Sequence, residues 1–126
     1  MQPIQSVYDG YFKVQIALAQ DSVAGISGAA TTMLKAIQGD STKMLPAKVS
    51  QQAEALSKAK DLDAARVAFK PLSESLIQFL KDQKVPGGIY HEAYCPMAKA
   101  SWLQTGTTIS NPYLGKEMLR CGEFRS

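Results

Sequence analysis

Residues 84–97 read KVPGGIYHEAYCPM, and the fold of the chain turns on what this stretch is. Pro86-Gly87-Gly88 is turn chemistry, and beyond it the 3.6-residue apolar period is lost. Pro96 disfavours helical backbone at Cys95, so residues 89–97 read as a short strand or extended strap rather than as helix. Alternate residues of an extended chain share a face. His91, Cys95 and Met97 are therefore expected on one side, with Tyr90, Glu92 and Tyr94 on the other.

Upstream of the strap everything is helical in pattern. Ile4, Val7, Tyr8, Tyr11, Val14, Ile16 and Leu18 mostly recur at three and four, which predicts a helix to about Ala19 that Gly10 weakens without ending. Asp21 and Ser22 can cap a second helix, with Val23, Ile26, Ala30, Met33 and Ile37 on its apolar stripe and Gly39 at its end. Ala24, Gly25, Gly28, Ala29 and Ala30 leave little bulk there, so a neighbouring helix can come close. Residues 39–43, GDSTK, are loop, and the third helix has Pro46 in its first turn, where a missing N–H is harmless. Val49, Ala53, Leu56 and Ala59 face its core side. Asp61 caps the fourth helix, which presents Leu62, Ala65, Phe69, Leu72, Leu76 and Phe79; the period stays in register across Pro71, so that proline is expected to kink the helix, not stop it.

Downstream, Ser110 or Asn111 can cap a short final helix with Pro112 at its first position and Gly122 closing it, which would put Met118 and Cys121 on one helical face. The expected fold is all-α: an antiparallel four-helix bundle over residues 1–84, followed over 85–126 by the extended strap and the short final helix, in a single domain 1–126. Val7, Tyr11, Ile26, Met33, Leu56, Phe69, Leu72 and Leu76 should share one core. Met33 and Met44 read as scaffold residues.

A chain of 126 residues can bury a real core without metal or disulfide staples. Its net charge of +3 is spread over scattered lysines, which argues against nucleic acid as a partner, because phosphate binding needs a clustered basic face. No stretch approaches the roughly 20 apolar residues of a membrane span, so no membrane insertion is expected. The opening MQPIQSVYDGYFKV lacks a basic region ahead of an apolar one, so it does not read as a signal peptide; the chain is either cytosolic or a mature or excised domain.

The chemistry-bearing residues lie at the C-terminal end. Tyr90 to Phe124 holds both cysteines, the only histidine, the only tryptophan and two of the five methionines. Cys95, Met97, Met118 and Cys121, with His91 nearby, form a soft donor set of the kind that favours Cu(I) over harder cations. Two cysteines also fit a structural disulfide or two free thiols, and their number does not choose among these. Either a metal or a disulfide requires Cys95 and Cys121 to be adjacent. Trp102 reads as a core anchor beside the strap. Catalysis finds no support: there is no Ser-His-Asp order, no phosphate-binding glycine loop and no helical His-Glu-x-x-His, and Asp61 with Asp63 is explained by the helix start.

The elements CPMA, a nearby Trp-Leu, and NPYLGKEMLRCGEF resemble, over roughly Tyr94 to Glu123, a bacterial domain family formerly of unknown function. That family is found alone in the periplasm or at the C-terminal end of CusB-type adaptors of copper and silver efflux pumps. The resemblance implies a helical bundle that brings the Cys-Pro-Met and Met-x-x-Cys segments together, a periplasmic setting, and a link to heavy-metal handling.

Two functions are expected from these residues. The first is a non-enzymatic periplasmic domain that binds Cu(I) or Ag(I) through Cys95 and Cys121, with Met97, Met118 and His91 as further ligands, and buffers the ion or passes it to an efflux adaptor or pump. The second is a disulfide-locked helical module that docks on such an adaptor without metal. A thioredoxin-like oxidoreductase would need a Cys-x-x-Cys in alternating strands and helices, which this sequence lacks.

Overall fold

A computed structural model describes residues 2–39, 45–83 and 90–125, with residues 2–4 described through their backbone alone. Residues 40–43 of the expected loop, the turn at 86–88, Ile89 and the side chains of Ile4 and Met44 lie outside the described residues. Among the described residues four helices form close to where the apolar period places them: α1 Gln2–Ala19, α2 Ile26–Gln38, α3 Ala47–Ser57 and α4 Leu62–Asp82. Asp61 caps α4 by accepting the Ala64 N–H at 2.8 Å, and α4 continues through Pro71. The second helix starts later than its stripe suggested. Gly25, at φ 83°, is its N-cap residue, and Val23 is left exposed. Asp21 caps nothing on α2, because its own left-handed backbone, φ 56°, takes it out of the helical frame.

Helices α1 to α4 pack in sequence order, each on the next. The first and last run antiparallel, since contacts pair rising numbers on α1 with falling ones on α4. The Tyr8 hydroxyl donates to the Leu76 carbonyl at 2.8 Å, the Tyr11 ring stacks on Phe69 at 4.6 Å, and Arg66 donates to the Leu18 carbonyl at 2.8 Å. The eight expected core residues all fall in one buried cluster, whereas Ile16 points outward. A side chain at Gly10 would overlap Met33, so α2 approaches α1 as closely as the small residues allow.

The all-α expectation fails beyond α4. Instead of a lone strap the described residues form a three-stranded antiparallel sheet in the order β2-β1-β3, with β1 His91–Cys95, β2 Ala100–Gln104 and β3 Glu123–Phe124, so the domain is mixed α/β. The reason is backbone hydrogen bonding. A buried extended segment leaves N–H and C=O groups along both its edges, and these must find partners. Here β2 pairs with β1 from His91↔Gln104 to Cys95↔Ala100, and β3 takes the other edge through Ala93↔Phe124 and Tyr94↔Glu123. Ala93, Cys95, Trp102 and Leu103 join the helical core, and Trp102 is fully buried as anticipated.

The outer edge of β2 is bound to the helices by hydroxyl groups. The Leu103 N–H donates to the Tyr11 hydroxyl at 3.0 Å, and the Tyr113 hydroxyl donates to the Ser101 carbonyl at 2.6 Å. Ser73 on α4 lies between them, its Oγ 2.7 Å from Tyr11 Oη and 3.2 Å from Tyr113 Oη. Each hydroxyl carries one hydrogen, so these contacts link into a chain of bonds from one backbone group of the strand to another. Burial pushes the Tyr11 and Tyr113 phenols well above their ordinary 10.0, so both stay protonated and able to donate.

The final helix is also shorter than expected. Asn111 caps as predicted, its side-chain oxygen accepting the Tyr113 and Leu114 N–H groups at 2.8 and 2.9 Å. Gly115, at φ 65°, then breaks the helical path, and only a 3-10 helix over Gly115–Met118 follows.

Candidate functional site

Cys95 is the last residue of β1, fully buried, on the face that carries Ala93 into the core. Pro96 then starts a tight turn over residues 96–99, and Lys99 closes it at φ 53°, so that β2 runs back along β1. This turn folds its own backbone onto the sulfur: the Ala98 N–H donates to Cys95 Sγ at 3.4 Å.

Cys121 arrives from the other side on a segment without helix or strand. The fully buried Asn111 organises that approach. Its side-chain nitrogen donates to the Cys121 carbonyl at 2.7 Å, its N–H donates to the Leu119 carbonyl at 2.9 Å, and its carbonyl accepts the Gly115 N–H at 3.1 Å. The loop is fixed to the bundle through Arg66, which donates to the Pro112 carbonyl and to Asp21 Oδ1, each at 2.8 Å. Asp21 in turn accepts the Lys116 N–H at 3.1 Å, so the carboxylate read as a cap for α2 instead caps the 3-10 helix. Gly122 completes the approach. At φ 143° it passes against Trp102 and the Tyr94 carbonyl, and a Cβ there would lie 2.9 and 3.1 Å from them.

The outcome is a pair of free thiols with their sulfurs 3.3 Å apart. Their environments are unequal. Burial pushes the Cys95 thiol up, but the Ala98 N–H, the Cys121 thiol, the Asn111 side chain and the Met97 N–H outweigh it, leaving Cys95 below the ordinary 9.0. Cys121 is raised, first by its hydrogen bond to Cys95, then by burial and by the charge on Cys95. When the pair gives up one proton it therefore leaves Cys95, and Cys121 then donates to the Cys95 sulfur, which is already supplied with backbone donors. Such a pair can hold a soft cation between two sulfurs or close to a disulfide.

The other predicted ligands are placed differently. Met97 lies in the hairpin turn and not on the strand face, because β1 ends at Cys95; its side chain is 67% exposed. Met118 ends the 3-10 helix and is 41% exposed, while Cys121 lies beyond that helix, so the two share no helical face. His91 is on the same strand face as Cys95 but four residues away, about 13 Å along the strand, where its ring meets Phe124 at 5.5 Å. The structure thus brings Cys95 and Cys121 together and leaves His91 apart. Among the described residues, no group of three or more His, Cys, Asp or Glu side chains is arranged to hold a metal ion. Asn111, Gly122 and the Ala98 N–H are the site residues that sequence reasoning missed. Asn-Pro was read as a helix cap, and its second use, gripping the Cys121 carbonyl, has no local signal.

No helix among the described residues is long and apolar enough to cross a membrane. No curated protein and no solved structure matches the chain. One family model does, a protein of unknown function designated DUF3347, over residues 7–87. That match covers α1 to α4 and stops before β1, the reverse of the resemblance carried by Tyr94 to Glu123. Spanning well over half of the sequence, it shows that the chain belongs to the DUF3347 family.

Proposed function

We propose that this domain is a non-enzymatic carrier of a soft monovalent cation, Cu(I) or Ag(I), held between Cys95 and Cys121. The observation that carries the reading is the juxtaposition of the two thiols, with the hairpin turn directing the Ala98 N–H at one of them. Thiolate is the strong soft donor and needs no further protein charge to neutralise a monovalent ion. With metal–sulfur bonds of about 2.3 Å, taking the zinc–thiolate value as a guide, a linear site needs sulfurs about 4.6 Å apart. The pair must therefore open by about 1 Å. That movement falls on Cys121, in its coil segment, and not on Cys95, which is held in a strand paired on both sides. Met97 and Met118, two and three residues from the cysteines in sequence, carry exposed side chains outside the core, and we assign them as auxiliary thioether ligands. The periplasmic setting and the hand-over to an efflux adaptor rest on the resemblance of the Tyr94 to Glu123 segment and form part of the same proposal.

Titration of reduced protein against a competing Cu(I) chelator tests it. One ion per chain is expected, with zinc competing poorly and with binding weakened far more by loss of a cysteine than of a methionine. If the double variant Cys95→Ser, Cys121→Ser holds copper as tightly as the parent, the site is wrong.

A further inference from the structure

The two cysteines differ in access as well as in partners. Cys95 is fully buried at the end of β1, whereas Cys121 is only partly buried. A reagent from solution therefore meets Cys121 first, and Cys121 Sγ, the atom that Cys95 must then attack, is 3.3 Å from Cys95 Sγ, within the roughly 3–3.5 Å at which reacting atoms are poised. We infer that this pair is a thiol–disulfide exchange site for small-molecule disulfides, with Cys121 as the entry sulfur and Cys95 as the resolving one.

The steps balance without any other oxidant. Cys121, the more accessible but less acidic of the two thiols, first gives its proton to solution and then attacks one sulfur of a disulfide RSSR; the S–S bond breaks, a Cys121–SR mixed disulfide forms, and RS⁻ leaves to become RSH with a proton from solution. Cys95 then attacks Cys121 Sγ and expels the second RS⁻, which is also protonated. Two protein thiols have lost two electrons and two protons, and one RSSR has become two RSH. The same geometry serves the reverse reaction. An external thiolate attacks Cys121, and the departing Cys95 sulfur is received by the Ala98 N–H at 3.4 Å. Closing the bond takes the sulfurs from 3.3 Å to about 2.05 Å, a shift that the Cys121 segment can make while β1 stays fixed. A closed pair has no thiolate left for a cation, so exchange with the surrounding thiol pool would set whether cargo can bind. The chemistry itself does not depend on the metal reading.

Metal-free reduced protein is incubated with oxidised glutathione, quenched by acid and alkylation at intervals, and mapped by mass spectrometry. The parent should end as the internal disulfide, any transient glutathione adduct lying on Cys121. Cys95→Ala should accumulate a stable adduct on Cys121, and Cys121→Ala should be modified on the order of tenfold more slowly, because access limits the attack on Cys95. An adduct on Cys95 of the parent, a parent that keeps both thiols, or equal modification rates in the two variants would overturn the inference. The parent measurement stands even if a variant fails to fold. Failure of exchange would leave copper binding by reduced protein untouched, and failure of copper binding would leave exchange untouched, so the two readings fall separately.

Discussion

Gly122→Ala tests the route by which Cys121 reaches Cys95. At φ 143° an alanine is strained by about 1–3 kcal/mol. Its Cβ would also lie 2.9 Å from Trp102 Cη2, 3.1 Å from the Tyr94 carbonyl oxygen and 3.6 Å from Ile109 Cγ2. Trp102 is fully buried and Tyr94 is backbone within β1, so neither yields readily; overpacking of this kind adds about 1–3 kcal/mol. Together they amount to about 4 kcal/mol, the middle of a range of about 2–6, which lowers the urea midpoint by about 2 M for a slope of about 2 kcal/mol/M. The alternative is that residues 121–124 swing away, which saves stability at the expense of the thiol pair. Urea unfolding and Cu(I) affinity, measured on the same preparation, cover both routes. A midpoint within about 0.3 M of the parent together with parental copper affinity would refute the reasoning.

Tyr113→Phe should cost about 1–3 kcal/mol in denaturant unfolding, because it leaves the Ser101 carbonyl without its 2.6 Å donor while keeping the ring's packing. The Asp21 carboxyl sits below its ordinary 3.8, held there by Arg66 and then by the Lys116 N–H. Its contribution to stability is therefore complete above about pH 3.8 and lost as the pH falls through the folded value. The stability gap between the parent and Asp21→Asn, which tolerates the same left-handed backbone, should accordingly shrink on acidification. In Cys95→Ala the Cys121 thiol should titrate closer to 9.0 than in the parent, as read by ultraviolet thiolate absorbance, since its raised value comes chiefly from Cys95.

The helices were legible because each exposes its own evidence: an apolar period, a capping aspartate at 61, a glycine at 39. The cysteine pairing was legible as a requirement of the chemistry, since metal and disulfide alike demand it. The sheet was not. ASWLQ carries no two-residue alternation, because Trp102, Leu103 and Gln104 are all buried: one face meets the core, the helices lie along the outer edge, and a loop wraps Gln104. Met97 was misplaced for a related reason. Pro96 does hold Cys95 extended, but a proline after the last strand residue also opens a turn, and pairing of β1 with β2 decided between the two. His91 was grouped with the cysteines by sequence proximity, yet in a strand four residues span more than a metal's coordination sphere.

The hydroxyl chain along β2 bears on how copies of this domain meet one another. A bare strand edge is a template on which any extended segment can add, and that is how folded domains recruit each other into ribbons and aggregates. Here Tyr11 and Tyr113 take up the Leu103 N–H and the Ser101 carbonyl, the outward-facing groups at the centre of that edge, and bury them against α1 and α4. On the opposite side β3 is two residues long; the Arg125 N–H extends its ladder to β1 by donating to the Glu92 carbonyl, and the Arg125 guanidinium lies 4.4 Å over the Tyr94 ring. The sheet is thus covered along β2 and leaves at β3 an outer edge only two residues long, which is too short a template for a stray strand to extend.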